Sequence, residues 1–289
     1  MKKNMFGLCR STTFTVFFTA SLLIVSGGSA FGNNVVSGIL EVDTDDDYNI
    51  IEAALKVQTF EKTVYYSIVL NEMMKMLVEE LEGLEVEIVG RLFQKDHENW
   101  VEATACYRVI TGTVICGRDD EGKVNEIVLD NSDTWDSYTI SVDEKSTKFA
   151  TKMEGRTVRI VGTVKETDDD TTLTVESYAE FVKGIGTIEP IIDDDGRVTA
   201  VEFTYSPPKE SGKEKTYVLN LDKLTEKFTA KFEYETVELT GILVESKGKV
   251  RLSVLTCIIV EPEEEEIEID DEDDDDEEDD WEDEDDGLN

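Results

Sequence analysis

The chain has 289 residues and a formal net charge of −39 at pH 7, with 28 Lys and Arg against 67 Asp and Glu. Phosphate-backbone binding draws its affinity from Lys and Arg displacing counterions, so this charge disfavours nucleic acid, and no nucleic-acid partner is expected. No Cys-x-x-Cys-His motif is present, which excludes c-type haem attachment.

In chain order, residues 1–30 read as a secretion signal. Lys2, Lys3 and Arg10 precede an apolar stretch at 14–25 that only Thr and Ser interrupt, and Gly28-Ser29-Ala30 suits cleavage after Ala30. The apolar stretch is shorter than the ~20 residues that cross a bilayer. The mature chain is therefore expected to start at Phe31 and to be exported, periplasmic or extracellular, with no membrane span once the signal is removed. At the other end, residues 261–289 hold 22 acids and no base. So few apolar groups cannot offset the entropy of ordering, and this tail is expected to be disordered, a solubilising brush ahead of a Ca²⁺ sink or a landing site for a basic protein. With the tail's 22 acids and the signal's three bases set aside, 31–260 keeps 45 acids against 25 bases, a net of −20.

Between these ends one pattern occurs three times. Residues 71–90, 143–162 and 222–241 align without a gap, each opening on Asn or Asp as a helix N-cap. Apolar residues four apart follow (Leu77 and Leu81, Phe149 and Met153, Phe228 and Phe232), the stripe of a short helix. Each then ends in a valine-x-apolar-x-glycine strand. Upstream lie a glycine-bearing strand (Gly38, Gly112, Gly186), an acidic tight turn, a second alternating strand, and a third carrying Tyr66, Tyr138 or Tyr217. The tyrosines share a strand face with aliphatic residues and are expected in the core. A polar loop leads to a fifth strand at 101–109, 173–181 and 252–260. The spacing predicts units at 31–109, 110–183 and 184–260.

Strand–strand–strand–helix–strand–strand is the order of the oligonucleotide/oligosaccharide-binding (OB) fold. On that order and the valine-x-apolar-x-glycine strand, each unit resembles the small OB-fold domains of exported bacterial proteins. The resemblance implies a mainly β chain with short helices: three tandem five-stranded Greek-key barrels, each with a helix between strands 3 and 4. Its glycines would permit bends and close backbone approach.

Chemistry-bearing residues are few. His97 is the lone histidine, in a polar loop, and no nucleophile elbow, phosphate loop or dinucleotide fingerprint occurs. No enzyme and no required cofactor are expected. Cys106, Cys116 and Cys257 remain after the signal. A Cys106–Cys116 bridge and small buried hydrophobes are the alternatives, the second favoured. The candidate site is acidic: Asp119, Asp120 and Glu121 with Asp168, Asp169 and Asp170, and the equivalent Asp193, Asp194 and Asp195, binding Ca²⁺ if their oxygens converge. Ordinary hairpin turns are the competing reading, and the favoured one. The chain thus reads as a non-enzymatic binding or scaffold protein for a cationic partner, a basic protein or divalent cation, through acidic loops and tail. The alternatives are a structural spacer or self-assembling protein and, third, an oligosaccharide or nucleic-acid binder.

Overall fold

The computed structural model describes residues 34–58, 62–131, 134–167, 170–207, 213–221, 225–246 and 248–260. The expected signal, the acidic tail and Asp222, the cap expected for the third helix, lie outside the described residues.

The described chain is mainly β, with three short helices. Its elements are β1 (Asn34–Thr44), β2 (Ile50–Gln58), β3 (Thr63–Ile68), α1 (Glu72–Leu81), β4 (Glu85–Lys95) and β5 (Glu98–Arg118). There follow β6 (Val124–Asn131), β7 (Asp136–Ile140), α2 (Glu144–Met153), β8 (Thr157–Glu166) and β9 (Thr171–Ile192). Last come β10 (Val198–Tyr205), β11 (Lys215–Val218), α3 (Thr225–Phe232), β12 (Thr236–Ser246) and β13 (Lys249–Ile259).

Strand pairing runs in loops. β1 pairs β2 and β4, β2 pairs β3, β3 pairs β5 in parallel, and β5 pairs β4, so the path returns to β1. The far half of β5 then pairs β6 and β8, β6 pairs β7, and β9 joins β7 in parallel and β8 antiparallel. The far half of β9 pairs β10 and β12, with β10–β11 and β12–β13 pairs completing the set. A parallel bridge from Leu219 to Leu252 links the end of β11 to β13.

Three separate barrels were expected; one continuous mixed sheet is observed. The fifth strands expected at 101–109 and 173–181 do not stop there. They run on as β5, of 21 residues, and β9, of 22. The limits drawn at 109/110 and 183/184 fall inside these strands. The physical reason is that Tyr107-Arg108-Val109-Ile110-Thr111 contains no turn former, and an extended chain continues through β-branched residues.

Each long strand serves two cores. Val101 and Ala103 of β5 lie in the first apolar cluster, while Ile110 and Val114 lie in the second. Leu173 of β9 lies in the second, and Val182 and Ile188 in the third. Tyr138 is buried in the second cluster, and Tyr66 and Tyr217 pack against the first and third.

The valine-x-apolar-x-glycine strands owe their glycine to close approach. The ladder shifts by one residue at Val89/Gly90, Val161/Gly162 and Thr240/Gly241, a bulge that sharpens the local bend. A Cβ on Gly241 would stand 2.6 Å from Ser253 O, and one on Gly90 or Gly162 would collide with the carbonyl of Glu102 or Thr174. No side chain fits.

A second glycine preference is violated once. The turns opened by Asp119 and Asp193 close on Gly122 and Gly196 at φ 81 and 77, whereas that of Asp45 closes on Tyr48 at φ 62. In all three, that residue's N–H donates to the aspartate carbonyl, at 2.9 Å from Gly122, 3.0 Å from Gly196 and 3.0 Å from Tyr48. Left-handed backbone strains a residue with a Cβ, and Tyr48 is 88% exposed, so packing returns little. Urea unfolding should therefore find Tyr48→Gly more stable by about 1 kcal/mol. Gly162→Ala should be less stable by about 1–3 kcal/mol through overpacking. A neutral Gly162→Ala contradicts the close-approach account.

Candidate functional site

The acidic turns are built as turns. Asp119 Oδ1 accepts from Glu121 N–H at 3.1 Å and Lys123 N–H at 2.8 Å. Asp193 Oδ1 accepts from Asp195 N–H at 3.0 Å and Arg197 N–H at 2.8 Å. Asp45 does the same, and the hydrogen bonds from Asn49 hold its carboxyl below the usual range. Asp170 Oδ1 accepts from Thr139 Oγ1 at 3.0 Å. Asp120, Glu121, Asp194 and Asp195 sit exposed at turn tips, and Asp168 and Asp169 lie outside the described residues. Among the described residues, no three His, Cys, Asp or Glu side chains gather as a metal site.

His97 is a turn residue too. With Asp96 it forms the two-residue link between β4 and β5, at φ 71 and 53. Positive φ at both central residues is the hairpin turn whose twist matches the strands. Cys106, Cys116 and Cys257 are free thiols. Burial pushes Cys106 up to about 11 and Cys257 up to about 12, so neither is an ionised nucleophile near neutrality.

A groove of about 700 Å³ lies between α2 and the first half of β9. Its apolar part is Ile140, Phe149, Leu173, Val175 and Tyr178, with Phe149 and Tyr178 rings 4.5 Å apart. Lys145, Lys148 and Lys152 line it as well. These lysines and Phe149 fall at i, i+3, i+4 and i+7, one face of the helix. The helix is held at its start by a capping box: Ser146 N–H donates to Asp143 Oδ1 at 2.7 Å and Asp143 N–H to Ser146 Oγ at 2.8 Å. The bond from Ser146 N–H lowers the Asp143 pKa, which keeps the cap ionised. Lys148 Nζ also reaches Glu144 Oε1 at 2.7 Å, an exposed pair of small energetic weight. The groove thus offers cations beside an apolar floor, the reverse of the charge expected for a site. Three lysines at helical spacing were visible in the sequence, but summed charge concealed their common face.

A smaller cavity of about 320 Å³ lies where Val35, Glu87, Arg159, Tyr178 and Ile242 meet. Arg159 has a side chain only 6% exposed and places Nη2 2.8 Å from Glu85 Oε1. Its Nε has no hydrogen-bond partner among the described residues. Burial raises the Glu87 pKa, against the opposing pull of Arg159 and a hydrogen bond from Ser37 Oγ at 3.3 Å.

No family model matches the chain, and no curated protein does. Three solved structures are similar at low level. The wild-type single-stranded DNA-binding protein from Thermus aquaticus matches at 10% identity and TM-score 0.23, over 53% of this chain and 92% of that one. A deletion mutant of the Thermus aquaticus protein gives 11% and 0.20, over 62% and 85%. A murine DNA-binding protein bound to double-stranded DNA gives 12% and 0.21, over 80% and 100%. Scores this low assign no ligand to this chain. The expectation above of no nucleic-acid partner is nevertheless corrected, because it rested on summed charge alone. Net charge is a sum, whereas binding responds to local potential, and α2 carries three lysines on one face.

The Glu87 environment has a pH signature. A carboxyl whose folded pKa is raised contributes most below its ordinary pKa, and that contribution is lost as pH rises toward the raised value. The stability gain of Glu87→Gln over the parent should therefore widen with pH across that window, measured by urea midpoints. A gap that stays constant with pH contradicts this reading of the cavity.

Proposed function

We propose that the chain is an exported, non-enzymatic binding scaffold: three OB-like barrels fused through β5 and β9, with its ligand groove between α2 and β9. The barrel reading is supported by two strand paths that return on themselves and a third linked by a bridge. In each, a helix precedes the fourth strand, as in the OB order. Strands that pass unbroken from one barrel to the next leave no linker to bend, which suits a scaffold.

The ligand class follows from the groove. Lys145, Lys148 and Lys152 surround Phe149 on one helix face, in a cavity of about 700 Å³, within the range of small-ligand sites. This is the observation that carries the reading. An anionic chain bearing apolar or aromatic groups satisfies both parts. Phosphates or carboxylates meet the ammonium groups, and a flat ring covers Phe149 and Tyr178.

The second reading, a spacer without a ligand, is favoured by the continuity of β5 and β9 alone. Titration separates the two. Labelled single-stranded oligonucleotide, acidic aromatic peptide and acidic oligosaccharide are each titrated into the parent and into the Lys145→Glu, Lys148→Glu, Lys152→Glu triple variant. At least one probe is expected to bind the parent, weaken with salt, and lose about tenfold or more in affinity in the variant. Equal binding to both proteins, or no binding, removes the groove from the account and leaves the spacer. For export, N-terminal sequencing of the native protein should begin at Phe31, and Met1 would contradict it.

A further inference from the structure

Val161 and Ile242 are buried, 5% and 4% exposed, yet neither belongs to any of the three apolar clusters. Strand alternation explains where they point. In β8, Val158 and Ile160 face the second cluster, so Arg159 and Val161 face outward, beside Ala179 and Ser177 of β9. In β4, Val86 and Ile88 face the first cluster, so Glu85 and Glu87 face outward, beside Ile39 and Ser37 of β1. Ile242 comes from β12, a strand of the third cluster. Strands serving all three clusters thus share the wall of the cavity of about 320 Å³.

The polar groups in that wall are incompletely paired. Arg159 gives Nη2 to Glu85, while its buried Nε has no partner among the described residues. A buried donor left without an acceptor is costly. Glu87 accepts from Ser37 Oγ at a long 3.3 Å, and a carboxyl group has room for further bonds. Around this one donor and one acceptor the wall is apolar, through Val35, Val161, Ala179 and Ile242.

We propose that this cavity binds a small uncharged carboxamide carried on an apolar body. The amide oxygen accepts from Arg159 Nε, the amide N–H donates to the Glu87 carboxylate, and the apolar body lies against Val161, Ala179 and Ile242. Other ligand classes serve only part of the wall. A carboxylate supplies the acceptor but meets the charge of Glu87 and of Glu245, which also lines the cavity. An amidinium or ammonium group meets Arg159 and gives its Nε nothing, having donors only. A sugar ring carries hydroxyls on every side, and those turned to the apolar wall would lose water without a partner. One water satisfies Arg159 but takes only ~30 Å³ of the space. The site is separate from the α2 groove and independent of its lysines.

The test titrates benzamide, benzoate, benzamidine and glucose into the full chain. The first three share a shape and differ in charge. Binding is read by NMR at the methyl groups of Val161 and Ile242, with Val175 reporting on the α2 groove. Benzamide should shift Val161 and Ile242 and not Val175, with a Kd of about 1 mM, ordinary for a fragment of this size. Benzoate, benzamidine and glucose should be weaker at those methyls by about tenfold or more. Arg159→Lys keeps a positive charge for Glu85 but has no Nε, and should weaken benzamide about tenfold. Ala179→Phe, placed at a half-buried position, fills the cavity and should abolish the shifts whether or not Arg159→Lys folds. The Lys145→Glu, Lys148→Glu, Lys152→Glu variant should bind benzamide as the parent does. No shift at Val161 and Ile242, or shifts at Val175 alone, overturns the site. Binding that survives Ala179→Phe also overturns it. Benzoate, benzamidine or glucose matching benzamide overturns the ligand class, and a folded Arg159→Lys that binds like the parent overturns the role of Nε.

Discussion

Strands β5 and β9 each have to satisfy two hydrophobic clusters with one length of backbone. Everything else in the body is arranged around that constraint. A strand that leaves one core and enters the next must keep its hydrogen-bonding edges occupied throughout, because an unpaired buried N–H or C=O is costly. The structure meets this by exchanging partners along the strand. β5 pairs β4 over its first half, then β8 and β6 over its second. β9 repeats the arrangement with β8, then β12 and β10. Neighbouring cores are thereby held at fixed spacing by covalent chain and by ladder, with no linker between them.

Placement of the groove follows from the same strands. The first half of β9 supplies its floor through Leu173, Val175 and Tyr178, and α2 supplies its cationic wall. The helix is anchored to the second core by Phe149, Ala150 and Met153, so the lysines on its adjoining face cannot drift from the strand. Backbone rigidity and local charge thus combine at one place. A surface that is negative in sum still holds a positive edge, because the field near a side chain depends on its neighbours more than on the total.

Much of the fold was legible because local chemistry carried it. Asn71 and Asp143 announce helix starts and are found accepting from Met74 and Ser146 N–H. The aspartates before tight turns do cap them. The glycine that recurs at the end of each valine-x-apolar-x-glycine strand marks a bulge where a Cβ would meet a carbonyl. Other features left no such mark. The Asp96-His97 turn contains no glycine, so its positive φ values were hidden behind a polar loop. The passage from one core to the next at Val109-Ile110 carries no punctuation, because both residues are β-branched and buried and no turn former stands between them. The lysine face was hidden for a different reason: charge was read as a total, and a total has no direction.

The central claim is that β5 and β9 make one inflexible body, and amide hydrogen exchange at the crossing points tests it most directly. If each strand is continuous, the amides at Val109, Ile110 and Val182 should be protected to the same degree as Val158 and Ile160 in the middle of β8. If the crossing points exchange as fast as the Asp119–Lys123 turn while the cores stay protected, the body is three hinged units, and this account of its construction is wrong.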